Sequence, residues 1–127
     1  MYNKIIINNY INGDPLYENN LDEVLKLVKE IRISFPEKTI WLYTGFCWND
    51  IMCSFAGLQA DCVVLDKKDI EACEKRRKII SNVDILVDGE YIDEQKDLTL
   101  RWRGSKNQNC IDVKQSLTQN KMILYCD

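Results

Sequence analysis

"KIIINNYINGDPLYENNLDEVLKLVKEI", Lys4 to Ile31, reads as a strand, a loop and an amphipathic helix in immediate succession. The consecutive isoleucines Ile5, Ile6 and Ile7 mark a short buried strand over 4–8. Leu21, Val24, Leu25, Val28 and Ile31 recur at helical spacing within 20–35, with Asn20 placed as the cap and Glu23 three residues on, positioned to reach back to it. Between them "INGDPLYENN", Ile11 to Asn20, sets Gly-Asp-Pro at the strand's carboxyl end, a common place for a ligand-binding loop.

The same grammar continues along the chain. "TIWLYT", Thr39 to Thr44, has the β-branched and aromatic content of an interior strand, and Gly45 closes it. From Trp48 to Ala60 the pattern fits a helix or an irregular cover, and Cys62 to Leu65 fits a short extended piece. Asp66 caps a helix expected over 67–81, with Ile70, Cys73, Arg77 and Ile80 on one side and the basic run "EKRRK" read as a solvated face or a docking surface. "VDILVDG", Val83 to Gly89, is a third buried strand, again closed by glycine. Two period-2 segments, 110–113 and 122–126, could pair as a hairpin across Gln119-Asn120. Strand, helix, strand, helix, strand implies an α/β fold with a three-stranded parallel core, flanking helices and a C-terminal β-hairpin, in one domain over 1–127.

Composition narrows the function classes. A net charge of −3 and a pI near 5.0 give no basic face for displacing counterions from nucleic acid. No apolar run reaches the length needed to span a bilayer, and no signal-peptide core opens the chain, so a cytoplasmic location is expected. The chain has no histidine, which removes every His-based triad and Cys-His pair. Cys47, Cys53, Cys62, Cys73, Cys110 and Cys126 are widely spaced, with no C-x-x-C, and read as free, partly buried thiols, with no metal site among them.

The strings "NGDPLYENN", "FPEKTIWLYTGF", "VDILVDGEYIDEQKDLTLRWRGSKNQ", "IDVKQSL" and "LYCD" are similar to those of the activating protein of the anaerobic (class III) ribonucleotide reductase, a radical S-adenosylmethionine enzyme. The resemblance runs from Asn12 onward. It implies a partial (βα) barrel and, in the family's N-terminal half, a Cys-x-x-x-Cys-x-x-Cys motif whose thiolates hold a [4Fe-4S] cluster. That motif is absent here, so the resemblance is to the carboxyl-terminal half, a truncated barrel with no catalytic residue of its own.

The resemblance also places candidate sites. Asn12, Gly13 and Asp14 correspond to the loop that approaches S-adenosylmethionine, with Asn12 standing where the family has a glycine. For Asp14-Pro15 a turn that starts the next helix is the structural alternative. Trp102, Arg103, Ser105, Asn107 and Gln108 fall in a loop where reductase docking is expected, or which is ordered by its own hydrogen bonds; Asn109 replaces a common arginine. Two functions follow. One is a catalytically incomplete protein acting by protein binding, as a regulator or inhibitor, for example a phage inhibitor of a host defence nuclease of the CRISPR type, with no cofactor of its own and a homodimer or a host nuclease complex as its assembly. The other is a fragment or subunit of the activating enzyme itself, using S-adenosylmethionine and a cluster supplied elsewhere, with the reductase as partner.

Overall fold

The computed structural model describes residues 3–8, 13–52 and 67–126. Five strands, β1 (Lys4–Ile7), β2 (Thr39–Tyr43), β3 (Ile85–Asp88), β4 (Asn109–Asp112) and β5 (Leu124–Cys126), form one sheet in that spatial order. β1, β2 and β3 are parallel, whereas β4 runs antiparallel to β3, and β5 to β4. The parallel core matches the sequence reading; the sheet as a whole is mixed and open, with no barrel closure among the described residues. The C-terminal pair corrects that reading. β4 and β5 do pair, but a helix, α4 (Val113–Gln119), connects them where a hairpin turn was expected. Asp112 caps this helix by accepting from the Gln115 N–H at 3.0 Å, and Asn120 ends it in the left-handed region at φ 56°.

Alternation along the strands separates two faces. Ile40, Leu42, Leu86 and Ile111 point into the main core, with helix α1 (Leu21–Ser34) contributing Leu21, Val24, Val28 and Ile31 and helix α3 (Lys67–Ser81) contributing Ala72, Ile79 and Ile80. Each such side chain contributes about 1.5–3 kcal/mol on full burial. Trp41, Ile85, Val87 and Cys110 point the other way into a smaller cluster without a described helix. β3, flanked on both edges, is buried at all four positions, which is why its sequence is continuously apolar until Asp88.

α1 does not start as its sequence suggested. A 3-10 turn, Glu18–Asn20, precedes it, and the Asn20 side chain makes no cap bond; its amide instead donates to the Asp14 carbonyl oxygen at 2.9 Å. Nor is the basic run of α3 wholly solvated. Arg76 Nε donates to the Leu16 carbonyl oxygen at 2.8 Å, and its guanidinium lies 4.5 Å from the Phe46 ring centroid. The amino ends of β2 and β3 are pinned by Asp84, whose Oδ2 accepts from Arg32 Nη2 at 2.5 Å and from the Ile40 N–H at 2.8 Å. The extended piece expected at 62–65 and the Asp66 cap lie outside the described residues, as does 53–60. Helix α2 occupies Trp48–Met52.

Candidate functional site

At the carboxyl ends of the parallel strands the chain makes a tied rim. Gly13 takes φ +99°, a conformation that favours glycine, and a Cβ there would meet the Tyr17 ring at 3.1 Å. Asp14 then clips two loops together: its Oδ1 accepts from the Leu16 N–H and from Thr44 Oγ1, both at 2.8 Å, and its Oδ2 accepts from the Gly45 N–H at 2.7 Å. The loops after β2 and β3 are joined in turn. The Thr44 N–H donates to the Val87 carbonyl at 3.0 Å and the Gly89 N–H to the Phe46 carbonyl at 3.1 Å. Asp88, 2% exposed, accepts from the Trp48 N–H at 2.8 Å and the Asn109 N–H at 3.0 Å. Two backbone donors, one buried and one half-buried, thus find a buried carboxylate in charge-assisted bonds.

The loop before β4 closes over this rim. Gln108 Oε1 accepts from the Gly104 N–H at 2.9 Å and the Ser105 N–H at 3.1 Å, while its Nε2 donates to the Gly89 carbonyl at 3.0 Å. Asn107 Nδ2 donates to the Glu90 carbonyl at 2.7 Å, and buried Ser105 donates from Oγ to Asn107 Oδ1 at 2.6 Å. Gly104 is closely covered, since a Cβ would meet the Tyr91 ring at 3.0 Å. Inside the rim lies an open cavity of about 300 Å³, lined among others by Asp14, Tyr17, Thr44, Gly45, Glu90 and Gln108. Its size is at the lower end for small-ligand sites, and its position outside the strands' carboxyl ends is where open α/β sheets bind ligands.

The expected site residues divide. Asp14 and Gln108 come together at the cavity, with Gly13 shaping the turn before Asp14 and Ser105 and Asn107 ordering the wall; Asn12 lies outside the described residues. Asp14 spends its carboxylate on the protein itself, the turn-forming role. Trp102 and Arg103 leave the cavity for the helix-free face. Trp102, at φ 64°, sits 5.2 Å from the Trp41 ring, its carbonyl accepts from Tyr43 Oη at 2.7 Å, and the Lys4 ammonium lies 3.4 Å from its ring centroid. Thr44, Glu90 and Tyr91 were missed from sequence. The signal for the first two was the glycine at each strand end, Gly45 and Gly89, since a strand that stops on glycine opens a loop at the binding edge.

An open α/β sheet with a polar cavity outside the carboxyl ends of three parallel strands defines an α/β domain with a candidate ligand site. More particularly, residues 4–111 match the family model described as a 4Fe-4S single cluster domain, and the chain belongs to that family. It is similar to anaerobic ribonucleoside-triphosphate reductase-activating proteins: 35% identical over 96 residues to that of Vibrio cholerae, covering 76% of this chain and 48% of the relative. The Escherichia coli K12 protein is 31% identical over 96 residues, covering 76% and 49%. That of Enterobacteria phage T4 is 35% identical over 98 residues, covering 76% and 46%. The chain therefore spans about half the length of these curated relatives. No solved structure matches it. These likenesses favour the activating-protein reading over that of a nuclease inhibitor, which none of them supports.

The described residues do not fit the cluster that the family description names. No group of three or more potential metal-ligating side chains gathers among them. Cys47 is exposed at the rim, and desolvation, then the carboxylates of Asp88, Asp50 and Glu90, push its thiol up, away from the thiolate an iron requires. Cys110 is buried on the opposite face from the helices, beside Cys126. Among the described residues no helix is long and apolar enough to cross a membrane.

Proposed function

We propose that this chain serves as the carboxyl-terminal half of an activating protein for an anaerobic ribonucleoside-triphosphate reductase, with the cluster's thiolates coming from polypeptide other than the residues described. The observation that carries the reading is the cavity: the family match over residues 4–111 includes every strand end and loop that converges on it. By the resemblance, S-adenosylmethionine and a cluster, when bound, would supply the radical placed on the reductase. This chain's part is to bind and orient. Asp14 holds the loops after β1 and β2 in register, so that the Thr44-Gly45 backbone stays at the cavity wall. Gln108 and Asn107 fix the Gly89-Glu90 segment opposite. The Trp102–Gln108 loop, ordered from within, is offered as the reductase-facing surface.

The open edge supports complementation. Among the described residues no strand pairs with the outer edge of β1, and Ile6 is 52% exposed. An unpaired edge beside an exposed apolar side chain is the kind of site that takes an added strand. The test is anaerobic mixing of this chain with a cluster-bearing segment from a relative, together with reductase and S-adenosylmethionine, followed by electron paramagnetic resonance. A glycyl-radical signal that needs both polypeptides is expected. Radical formation by the added segment without this chain, or none with both, would refute the proposal.

A further inference from the structure

The helix-free face carries a pair of groups that the cavity does not use. Cys110 and Cys126 are direct partners across the antiparallel β4–β5 ladder, beside an irregularity between Cys110 and Ile111, and they share the face of Trp41, Ile85 and Val87. Directly opposed residues in an antiparallel pair have Cα atoms about 4.5–5.5 Å apart. A disulfide closes over Cα separations of about 4.4–6.8 Å, so direct cross-strand register is compatible with a bond between these two cysteines. The Arg103 charge favours a Cys110 thiolate, and among the described residues its Nε and Nη1 groups are buried without an acceptor. Buried donors left unpaired cost free energy, and a thiolate would be the acceptor they lack.

We propose that Cys110 and Cys126 are a reversible redox pair, closed to a disulfide by glutathione disulfide and reopened by thiols. Cys126, the partly exposed member, loses its proton to water and attacks one sulfur of glutathione disulfide. A mixed disulfide forms, the glutathione S–S bond breaks, and one glutathione leaves as thiolate and takes up a proton. Cys110 then releases its proton, its sulfur attacks Cys126 Sγ, and the second glutathione departs. Two protein thiols are oxidised and one glutathione disulfide is reduced to two glutathiones. Burial, then the neighbouring Cys126 sulfur, pushes the Cys110 thiol up to about 12, so the second step quickens as pH rises. Arg103 acts as a positioning residue for that thiolate.

The bond would fix β5, only three residues long, to the sheet and with it Tyr125, whose ring stands edge-on to Trp41 at 5.4 Å. The aromatic surface of Trp41, Trp102 and Tyr125 would then be covalently set in the oxidised chain and held by packing alone in the reduced one.

The experiment treats the full chain with excess glutathione disulfide over a pH series, quenches in acid, alkylates the free thiols and maps the peptides by mass. The expected result is loss of two alkylatable thiols, a Cys110–Cys126 linked peptide and recovery by dithiothreitol. Cys126→Ser abolishes the link, while Arg103→Gln still forms it but moves the pH profile of closure to the alkaline side by a severalfold slower rate at neutral pH. Full alkylation of both thiols at every pH, or oxidation that joins other cysteines in preference, would overturn the proposal; so would an Arg103→Gln profile that coincides with the parent, for the part given to Arg103.

Discussion

Replacing Asp14 with alanine removes three hydrogen bonds to one carboxylate, from the Leu16 N–H, Thr44 Oγ1 and the Gly45 N–H. Each such bond is worth about 1 kcal/mol net, more where the acceptor is charged. Asp14 is half-buried, so water can reach part of what it leaves behind and the lower value applies. The sum is about 3 kcal/mol, which for a chain of 127 residues lowers the melting midpoint by roughly 10 °C. Circular dichroism melts of Asp14→Ala, Thr44→Val and the double variant supply the measurement. The double variant should lose about 1 kcal/mol less than the sum of the singles, because both remove the same Asp14–Thr44 bond. Asp14→Asn should also destabilise, since its amide nitrogen cannot accept from the Gly45 N–H while its oxygen serves the other two donors. An Asp14→Ala chain within about 0.5 kcal/mol of the parent would refute the reasoning and return the carboxylate to the role of a ligand contact.

Asp84→Ala strips Arg32 and the Ile40 N–H of their shared acceptor at the amino ends of β2 and β3, and should cost about 2–3 kcal/mol in a denaturant melt, since the pair is mostly but not fully buried. Gly89→Ala places a side chain at φ +87° and should cost about 1–2 kcal/mol by the same assay, although a Cβ there would find its nearest neighbour at a comfortable 3.6 Å. Cys47, exposed but with its thiol pushed up by desolvation and by Asp88, should be alkylated more slowly at neutral pH than a free cysteine peptide, and the rate should climb at higher pH. Alkylation at the peptide's rate would contradict that. Closing Cys110 to Cys126 constrains a loop of about 15 residues and should raise stability by up to about 3 kcal/mol in glutathione disulfide over dithiothreitol.

The parallel core was legible because β1, β2 and β3 carry apolar runs bounded by glycine or an amphipathic helix, and the period of Leu21–Ile31 declares its buried face; of the α3 face read as Ile70, Cys73, Arg77 and Ile80 only Ile80 is fully buried, with Ala72 and Ile79 beside it. α4 escaped notice for a physical reason. The segments 110–113 and 122–126 that flank it carry the apolar content of strands, α4 is only seven residues long, and the Asp112 cap that commits 113–119 to helix is a local bond that periodicity does not see. At the site, Gly13, Asp14 and Gln108 could be named from sequence, but not the direction of their bonds. Asp14 faces Thr44 and Gly45, 30 and 31 residues away, a tertiary contact that no spacing announces. Trp102 and Arg103 were grouped with Ser105, Asn107 and Gln108 by adjacency, whereas the left-handed turn at Trp102 sends the first two to the opposite face. The C-terminal strands extend the sheet at the edge opposite β1.

The proposed function has this chain shape the cofactor end of the site, with the cluster's ligands coming from polypeptide other than the residues described. Iron and sulfide content, with Mössbauer spectra, after anaerobic reconstitution of the chain alone and of the chain mixed with a Cys-x-x-x-Cys-x-x-Cys segment from a relative, measures this directly. The account predicts no stoichiometric cluster on the chain alone, and one [4Fe-4S] cluster in the complex, whose S-adenosylmethionine affinity falls when Gln108 or Asp14 is replaced. A stoichiometric cluster on the chain alone, or a complex whose affinity for S-adenosylmethionine is indifferent to both replacements, would contradict it.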